Sequence, residues 1–192
     1  MSPRKDAPLR SDAQRNRERI LEVALAELTR SADAPLSVIA KKACVGQGTF
    51  YRHFPTREAL VLEIYRHEMQ QVADTAPLLL ESREPDRALR EWMDRLARFA
   101  MAKAGLADAI RQATSAPGKP AKPGHTPVTD AADLLLRAAE EAGTIRPGVT
   151  VDDLFLTIGG LWTIDPRSDW QPRATRLLDF VMDALRVGAP GR

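Results

Sequence analysis

The segment LSVIAKKACVGQGTFYRHF, residues 36–54, carries two apolar rhythms separated by a break. Leu36, Ile39, Ala40 and Ala43 keep a three-to-four spacing, which predicts a short helix near 36–43 started at Pro35 or Ser37. Cys44-Val45-Gly46 interrupts it, and residues 47–54 predict a second short helix that Pro55 ends. At ~100° per residue, Phe50 and Phe54 lie within about 40° of each other and anchor that helix to a core. Arg52 then points the opposite way, with Gly48 beside it and Thr49 and Tyr51 on its flanks. Helix, three-residue turn, helix is the plan of a DNA-reading helix-turn-helix. The outward residues suit a major groove. Arg takes guanine bidentately, Thr meets a thymine methyl or a phosphate, Tyr donates to phosphate, and Gly48 lets backbone come close. Gln47, in the first turn, can address adenine or phosphate.

Charge supports such a partner. Residues 1–57 hold 11 Lys/Arg against 6 Asp/Glu, and residues 58–192 hold 17 against 20, so a net charge of +2 hides a basic front and a mildly acidic remainder. A polyanion is drawn to that front, the alternative being a solvated basic face with no partner. The lone cysteine, Cys44, excludes an intramolecular disulfide, and no His/Cys cluster has zinc-ligand spacing, so neither metal nor cofactor is expected and a reducing, cytoplasmic setting is. The N-terminal MSPRKDAPLRSD lacks a signal-peptide core, and no apolar run approaches the roughly 18 residues of a membrane span.

Helical periodicity recurs throughout and strand alternation does not, which predicts an all-α protein of about nine helices. The first is expected at about 12–31, with Ile20, Leu21, Ala24, Leu25 and Leu28 on one stripe. Thr56 looks like the N-cap of a helix from 57 to about 74 that ends ahead of Pro77. Further helices are expected from Pro85 to about Gly105, and at about 106–114, 128–142, 151–164 and 172–187. SAPGKPAKPGHTP, residues 115–127, has four prolines and two glycines and predicts a mobile loop. The last two helices carry more apolar residues than one buried stripe needs, so either a partner surface or a deep core in a thick bundle is implied. Gly159-Gly160 costs roughly 1 kcal/mol per glycine relative to alanine, which close approach of another helix would compensate.

The stretch AKKACVGQGTFYRHFPTREAL, residues 40–60, resembles the recognition region of the TetR family of bacterial transcriptional regulators, commonly IAxxAGVxxGTLYxHFxxKEAL. The resemblance extends over about 12–65 and includes ILEVALAEL; beyond it only helical layout and length are similar. It implies a division into a flexible basic arm at 1–11, a helix-turn-helix DNA-binding domain at 12–56 and a helical regulatory and dimerisation domain at 57–192. Gln47, Gly48, Thr49, Tyr51, Arg52 and His53 would sit in or beside the groove, and Arg57, where Lys is usual, would bind phosphate. Ser37 or Val38 stands where the family often makes a further backbone contact. Cys44 replaces the usual turn glycine, so it either takes a strained backbone or the turn differs; a buried, inert thiol is expected rather than a redox sensor. His53 is open to three roles, helix-end hydrogen bonding, metal binding or phosphate contact, and the resemblance favours the last. The arm could follow a minor groove, but a disordered tail is the simpler expectation.

The resemblance further implies a homodimer on a palindromic double-stranded DNA operator, acting as a repressor released by a small-molecule effector. Leu154, Ile158, Leu161, Trp162, Leu177, Phe180, Val181 and Leu185 are the residues expected at the dimer interface or in the core beneath it. Trp92, Met93, Leu96, Phe99, Met101, Ile110, Leu135, Phe155 and Trp162 are candidate pocket lining. An enzyme fits poorly, because the chain has no Gly-rich phosphate loop, HExxH or nucleophile elbow. An architectural or scaffold protein that binds DNA without an effector is the competing reading.

Overall fold

The computed structural model describes residues 7–31, 33–102 and 125–190 of the 192-residue chain. Those residues form eight α-helices and no strand: α1 (Ala7–Arg30), α2 (Leu36–Lys42), α3 (Gln47–His53), α4 (Arg57–Ser82), α5 (Pro85–Ala102), α6 (His125–Glu141), α7 (Val151–Ile158) and α8 (Trp170–Arg186), with a 3₁₀ turn at Gly159–Thr163 between the last two. The expected helix at 106–114, most of the expected loop and Ile110 lie outside the described residues. No helix among the described residues is long and apolar enough to cross a membrane. The chain divides inside α4, between His67 and Glu68, into two compact units.

The first unit has one core. Ile20, Leu21, Ala24 and Leu28 of α1 meet Ile39, Ala40 and Ala43 of the α2 region, Phe50 and Phe54, and Leu60, Val61 and Ile64 of α4. Each large side chain buried there contributes about 1.5–3 kcal/mol. The stripe expected along α1 is the buried one, but the helix starts at Ala7 rather than near residue 12. Pro8 does not delay it, because an N–H in the first turn has no intrahelical acceptor to lose. Glu27 is the one buried charged residue among those described. Lys42 of α2 donates to it at 2.7 Å, and Arg30 donates from its own helix, so a carboxylate ties α1 to α2.

In the second unit, α5 is the central element and packs on α6 and α8. Its Leu89, Trp92 and Met93 are fully buried, as is Leu135 of α6. Helix α4, expected to stop before Pro77, instead runs through it to Ser82. A proline inside a helix removes a ladder donor and loosens the turn before it. There the buried Trp92 Nε1 donates to the Val72 carbonyl at 3.1 Å and the Thr75 hydroxyl to the same carbonyl at 2.7 Å, so tertiary and local donors stabilise the turn. Helix α6 likewise starts at His125, inside the expected loop, with Pro127 accommodated in its first turn. Thr150 and Asp153 form a capping box at the head of α7, and the Thr150 hydroxyl and backbone N–H hold the Asp153 carboxyl below its ordinary value. The single helix expected over 151–164 tightens to 3₁₀ at Gly159, where two successive glycines favour the α form least. Two ion pairs fasten α8 to α5: Arg90 to Asp179 at 2.9 Å and Arg186 to Asp86 at 2.6 Å.

Lys42, donating its hydrogen bond, holds the Glu27 carboxyl below its ordinary 4.5 against the opposing effect of desolvation, and Arg30 adds to the lowering. A depressed carboxylate contributes stability that is complete above its unfolded value and lost as pH falls through the folded one. Glu27→Gln should therefore lower the melting temperature at neutral pH, and the gap from the parent should close below about pH 4.5. Thermal melts across that range check it; a gap independent of pH would show that the ion pairs carry nothing.

Candidate nucleic-acid interface

Helix α2 ends in a Schellman arrangement: Val45 N–H donates to the Ala40 carbonyl at 3.0 Å and Cys44 N–H to the Lys41 carbonyl at 3.1 Å. The position that such a motif places in the left-handed region is Cys44, at φ 53°. The strained alternative is therefore the one the chain adopts. The thiol, expected to be buried, is exposed, because a left-handed residue at a helix end directs its side chain away from the turn it closes. Val45 packs back on the first unit's core and aims the chain into α3.

Seven residues are too few for an independently stable helix, since isolated helices of fewer than about 12 residues are marginal. Phe50 and Phe54, 0% and 1% exposed, supply what α3 lacks. Their rings lie 5.9 Å apart, and the Arg17 guanidinium sits 5.3 Å over the Phe54 ring. With that side buried, Gln47, Gly48, Tyr51 and Arg52 are exposed and Thr49 is half-buried. Tyr51 lies edge-on to Phe50, its centroid 5.6 Å away, and is itself exposed. Arg52 makes no hydrogen bond or ion pair with any described residue.

Ser37 and Val38 are exposed on α2, and so is Lys41, one turn on from Ser37. Lys41 is absent from the sequence-based candidates, although its spacing from Ser37 and its place off the Ile39/Ala40/Ala43 stripe are legible in the sequence. Arg57 is half-buried and donates to the Ala34 carbonyl, tying the head of α4 to the loop before α2. His53 is half-buried at the edge of a groove shared with Arg17, Thr56, Glu58, Glu63 and Arg66. Arg17 and Arg66 both pair there with Glu63, at 2.7 and 3.2 Å.

Gly48 has an ordinary φ, and a Cβ built on it meets nothing within 4 Å. Neither backbone conformation nor internal packing calls for glycine at a helical position where alanine would be better.

In the second unit the candidate pocket residues Trp92, Met93, Leu96, Met101 and Leu135 are buried, Phe99 and Phe155 are half-buried, and Trp162 is exposed. Of the residues expected at or under an interface, Leu154, Ile158, Leu161, Val181 and Leu185 are buried within the unit and Leu177 is half-buried. Phe180 is 67% exposed and Trp162 46%. Leu156, which the sequence marks only as part of the apolar excess, is 80% exposed. Thr157, Gly160, Leu161, Leu177, Phe180 and Val181 help line a shallow apolar groove of about 220 Å³ between the 3₁₀ turn and α8.

A buried-anchor helix displaying an exposed arginine after a four-residue turn, followed by a second helical unit, defines a helix-turn-helix DNA-binding regulator. Residues 20–64 match the model of bacterial regulatory proteins of the tetR family, and residues 84–187 match that of the SbtR-like transcriptional regulator C-terminal domain. The chain belongs to the TetR family of bacterial transcriptional regulators, DNA-binding transcription factors rather than enzymes. A TetR transcriptional regulator from Streptomyces coelicolor is 40% identical, with 88% of this chain and 98% of that one covered and a TM-score of 0.74. A TetR transcription regulatory protein from Mycobacterium vanbaalenii is 35% identical, covering 93% and 99%, at a TM-score of 0.68. The fold extends to the regulator FadR of Bacillus subtilis, solved in complex with stearoyl-CoA, at 15% identity, coverage of 87% and 98%, and a TM-score of 0.58. No curated protein matches the chain.

Gly48→Ala should stabilise the protein by about 0.5–1 kcal/mol, as removal of a helical glycine does where a methyl fits. Denaturant titration measures it, and a loss of stability would mean that the fold itself requires the glycine.

Proposed function

We propose that this regulator is a homodimer that represses transcription from a palindromic operator and is released by a small molecule bound in its second unit. The exposed polar face of α3, fixed by two buried phenylalanines, is the observation that carries the DNA half of this reading. Arg52, without a partner among the described residues, reads a guanine edge. Gln47, Thr49 and Tyr51 address bases or phosphates around it, and Gly48 lets the helix backbone approach the groove floor. Ser37 and Lys41 supply phosphate contacts from α2, and His53 and Arg57 supply them at the junction with α4, Arg57 while keeping its hold on Ala34. On this reading residues 12–56 form the DNA-binding domain and residues 57–192 the regulatory and dimerisation domain.

The dimer half rests on the apolar face of α7, the 3₁₀ turn and α8. Leu156, Trp162 and Phe180 are large, apolar and exposed, and Leu177, Phe180, Val181 and Ala184 follow the i, i+3, i+4, i+7 spacing that a partner helix fits. Gly159 and Gly160 have open space where a Cβ would stand, as close approach of a second backbone requires. The effector would be apolar in part, taken up among Trp92, Met93, Leu96, Phe99, Leu135 and Phe155. It can act only by binding one arrangement of the regulator more tightly than the other.

Binding-site selection with the purified protein tests the whole: a palindrome is the expected product, and equal affinity for all duplexes would favour an architectural role. Against a selected site, Arg52→Ala should lose about 1–3 kcal/mol of discrimination at particular base pairs, whereas Lys41→Ala should weaken all duplexes alike and lower the salt slope by about one. Gly48→Ala should bind that site less tightly despite its greater stability. Separately, Phe180→Glu should weaken self-association by about 2 kcal/mol or more in sedimentation equilibrium while the circular dichroism stays helical. A variant that remains fully dimeric would remove this face from the interface.

A further inference from the structure

The Ala43–Cys44 peptide group is held from both of its edges. Its N–H donates to the Lys41 carbonyl at 3.1 Å, and its carbonyl accepts from Arg19 Nε, 24 residues earlier on α1, at 2.9 Å. Arg19 is itself oriented: its Nη2 donates to Asn16 Oδ1 at 2.7 Å, so the guanidinium plane is fixed before it reaches the turn. The Ala43 carbonyl is among the last carbonyls of α2, which have no intrahelical donor.

Strain sits immediately beyond this peptide group. Cys44 is at φ 53°, a region that disfavours a residue with a Cβ by about tenfold relative to its relaxed conformations. The motion that relieves that strain is rotation of the Ala43–Cys44 peptide plane, which changes ψ at Ala43 and φ at Cys44 together. Such a rotation swings the Ala43 carbonyl away from Arg19 and the Cys44 N–H away from the Lys41 carbonyl. Cys44 and Val45 lead through Gly46 directly into α3, so any part of the φ change at Cys44 that the ψ change at Ala43 does not offset turns the angle at which α3 leaves the turn.

We propose that Arg19 is a positioning residue for operator reading: it clamps the peptide whose rotation would release Cys44, and so holds α3 at its reading angle. The proposal rests on α3 being the reading helix. Cys44 makes the clamp necessary, since a glycine there would hold the left-handed turn unaided. Arg19 need not touch DNA to matter.

The test is a cycle of four proteins: the parent, Arg19→Met, Cys44→Gly and the double variant, each measured on a selected operator duplex and a scrambled duplex at one salt concentration. The ratio of the two affinities cancels any uniform loss from removing a charge. Arg19→Met should lower that ratio about fivefold, the worth of one hydrogen bond, and should do so by less than about twofold when Cys44→Gly is present. Arg19→Lys, which restores the charge but not the oriented fork, should recover scrambled-duplex binding without recovering the ratio. Equal losses in both backgrounds, or an unchanged ratio, would overturn the proposal. Amide exchange gives a readout independent of DNA: the Cys44 amide should exchange faster in Arg19→Met and return toward the parent in the double variant, and unchanged protection would equally overturn it. If Arg19→Met does not fold, Arg19→Lys takes its place, and a ratio equal to the parent's would overturn the proposal. Should Arg52→Ala leave discrimination intact, the reading face itself fails, and the exchange experiment still judges the clamp.

Discussion

Burial of Phe50 and Phe54 is the constraint on which the outward face of α3 depends. A helix of seven residues, with no side-chain cap at its N-terminus, has almost no stability of its own. It exists because two aromatic side chains one turn apart enter a core already walled by α1, α2 and α4. The same two side chains fix the roll of α3 about its axis, and roll is what selects the residues that face outward. Arg52, Tyr51, Gly48 and Gln47 are exposed for the geometric reason that Phe50 and Phe54 are not.

Rotation is controlled in the second unit by different means. Helix α8 buries Ala174, Leu178, Val181, Met182 and Leu185, a stripe that would tolerate some rolling if apolar contact alone held it. Arg90 reaches Asp179 and the Thr175 carbonyl near the middle of the helix, and Arg186 reaches Asp86 at its end. Partly exposed ion pairs contribute little to stability, about 0–1 kcal/mol each. Two of them well separated along one helix nonetheless define its orientation, because charged partners tolerate less displacement than interchangeable methyl groups. With α8 so fixed, Phe180 is left facing away from the unit's own core.

The helix-turn-helix is legible in the sequence because its signals are local: apolar residues at three-to-four spacing, a turn too short for anything else, and a proline after Phe54. The resemblance over residues 40–60 adds the family. What local rules cannot give is decided by contacts distant in sequence. Pro77 ends most helices, but here α4 continues through it, with Trp92, 20 residues from Val72, donating to the loosened turn. Arg57 carries a phosphate-binding residue's chemistry, and nothing in its neighbours announces that the Ala34 carbonyl takes part of it. The general habit of cysteine predicts burial for Cys44, whereas its exposure comes from a left-handed backbone that only the Schellman hydrogen bonds reveal. In the second unit the apolar excess is visible in the sequence, but which residues form core and which form surface is not. Leu156 and Leu154 differ by two positions, which turns a helical residue through about 200° and from the buried side to the open one.

Glycines with no internal justification occur in both units. A helical glycine that neither needs a left-handed φ nor is crowded by neighbours is a stability cost the monomer could shed. Gly48 is one, on the face of α3 assigned to DNA; Gly159 and Gly160 are others, where α7 gives way to the 3₁₀ turn beside the exposed apolar groove. In each place a Cβ would meet nothing among the described residues, so their packing gives no reason for the glycine. The surroundings of these glycines differ in character. Beside Gly48 stand Gln47, Thr49 and Arg52, which offer hydrogen bonds and charge; around Gly160 stand Leu161, Leu177 and Phe180, which offer apolar area. The proposed DNA contact draws on the first chemistry and the proposed self-association on the second.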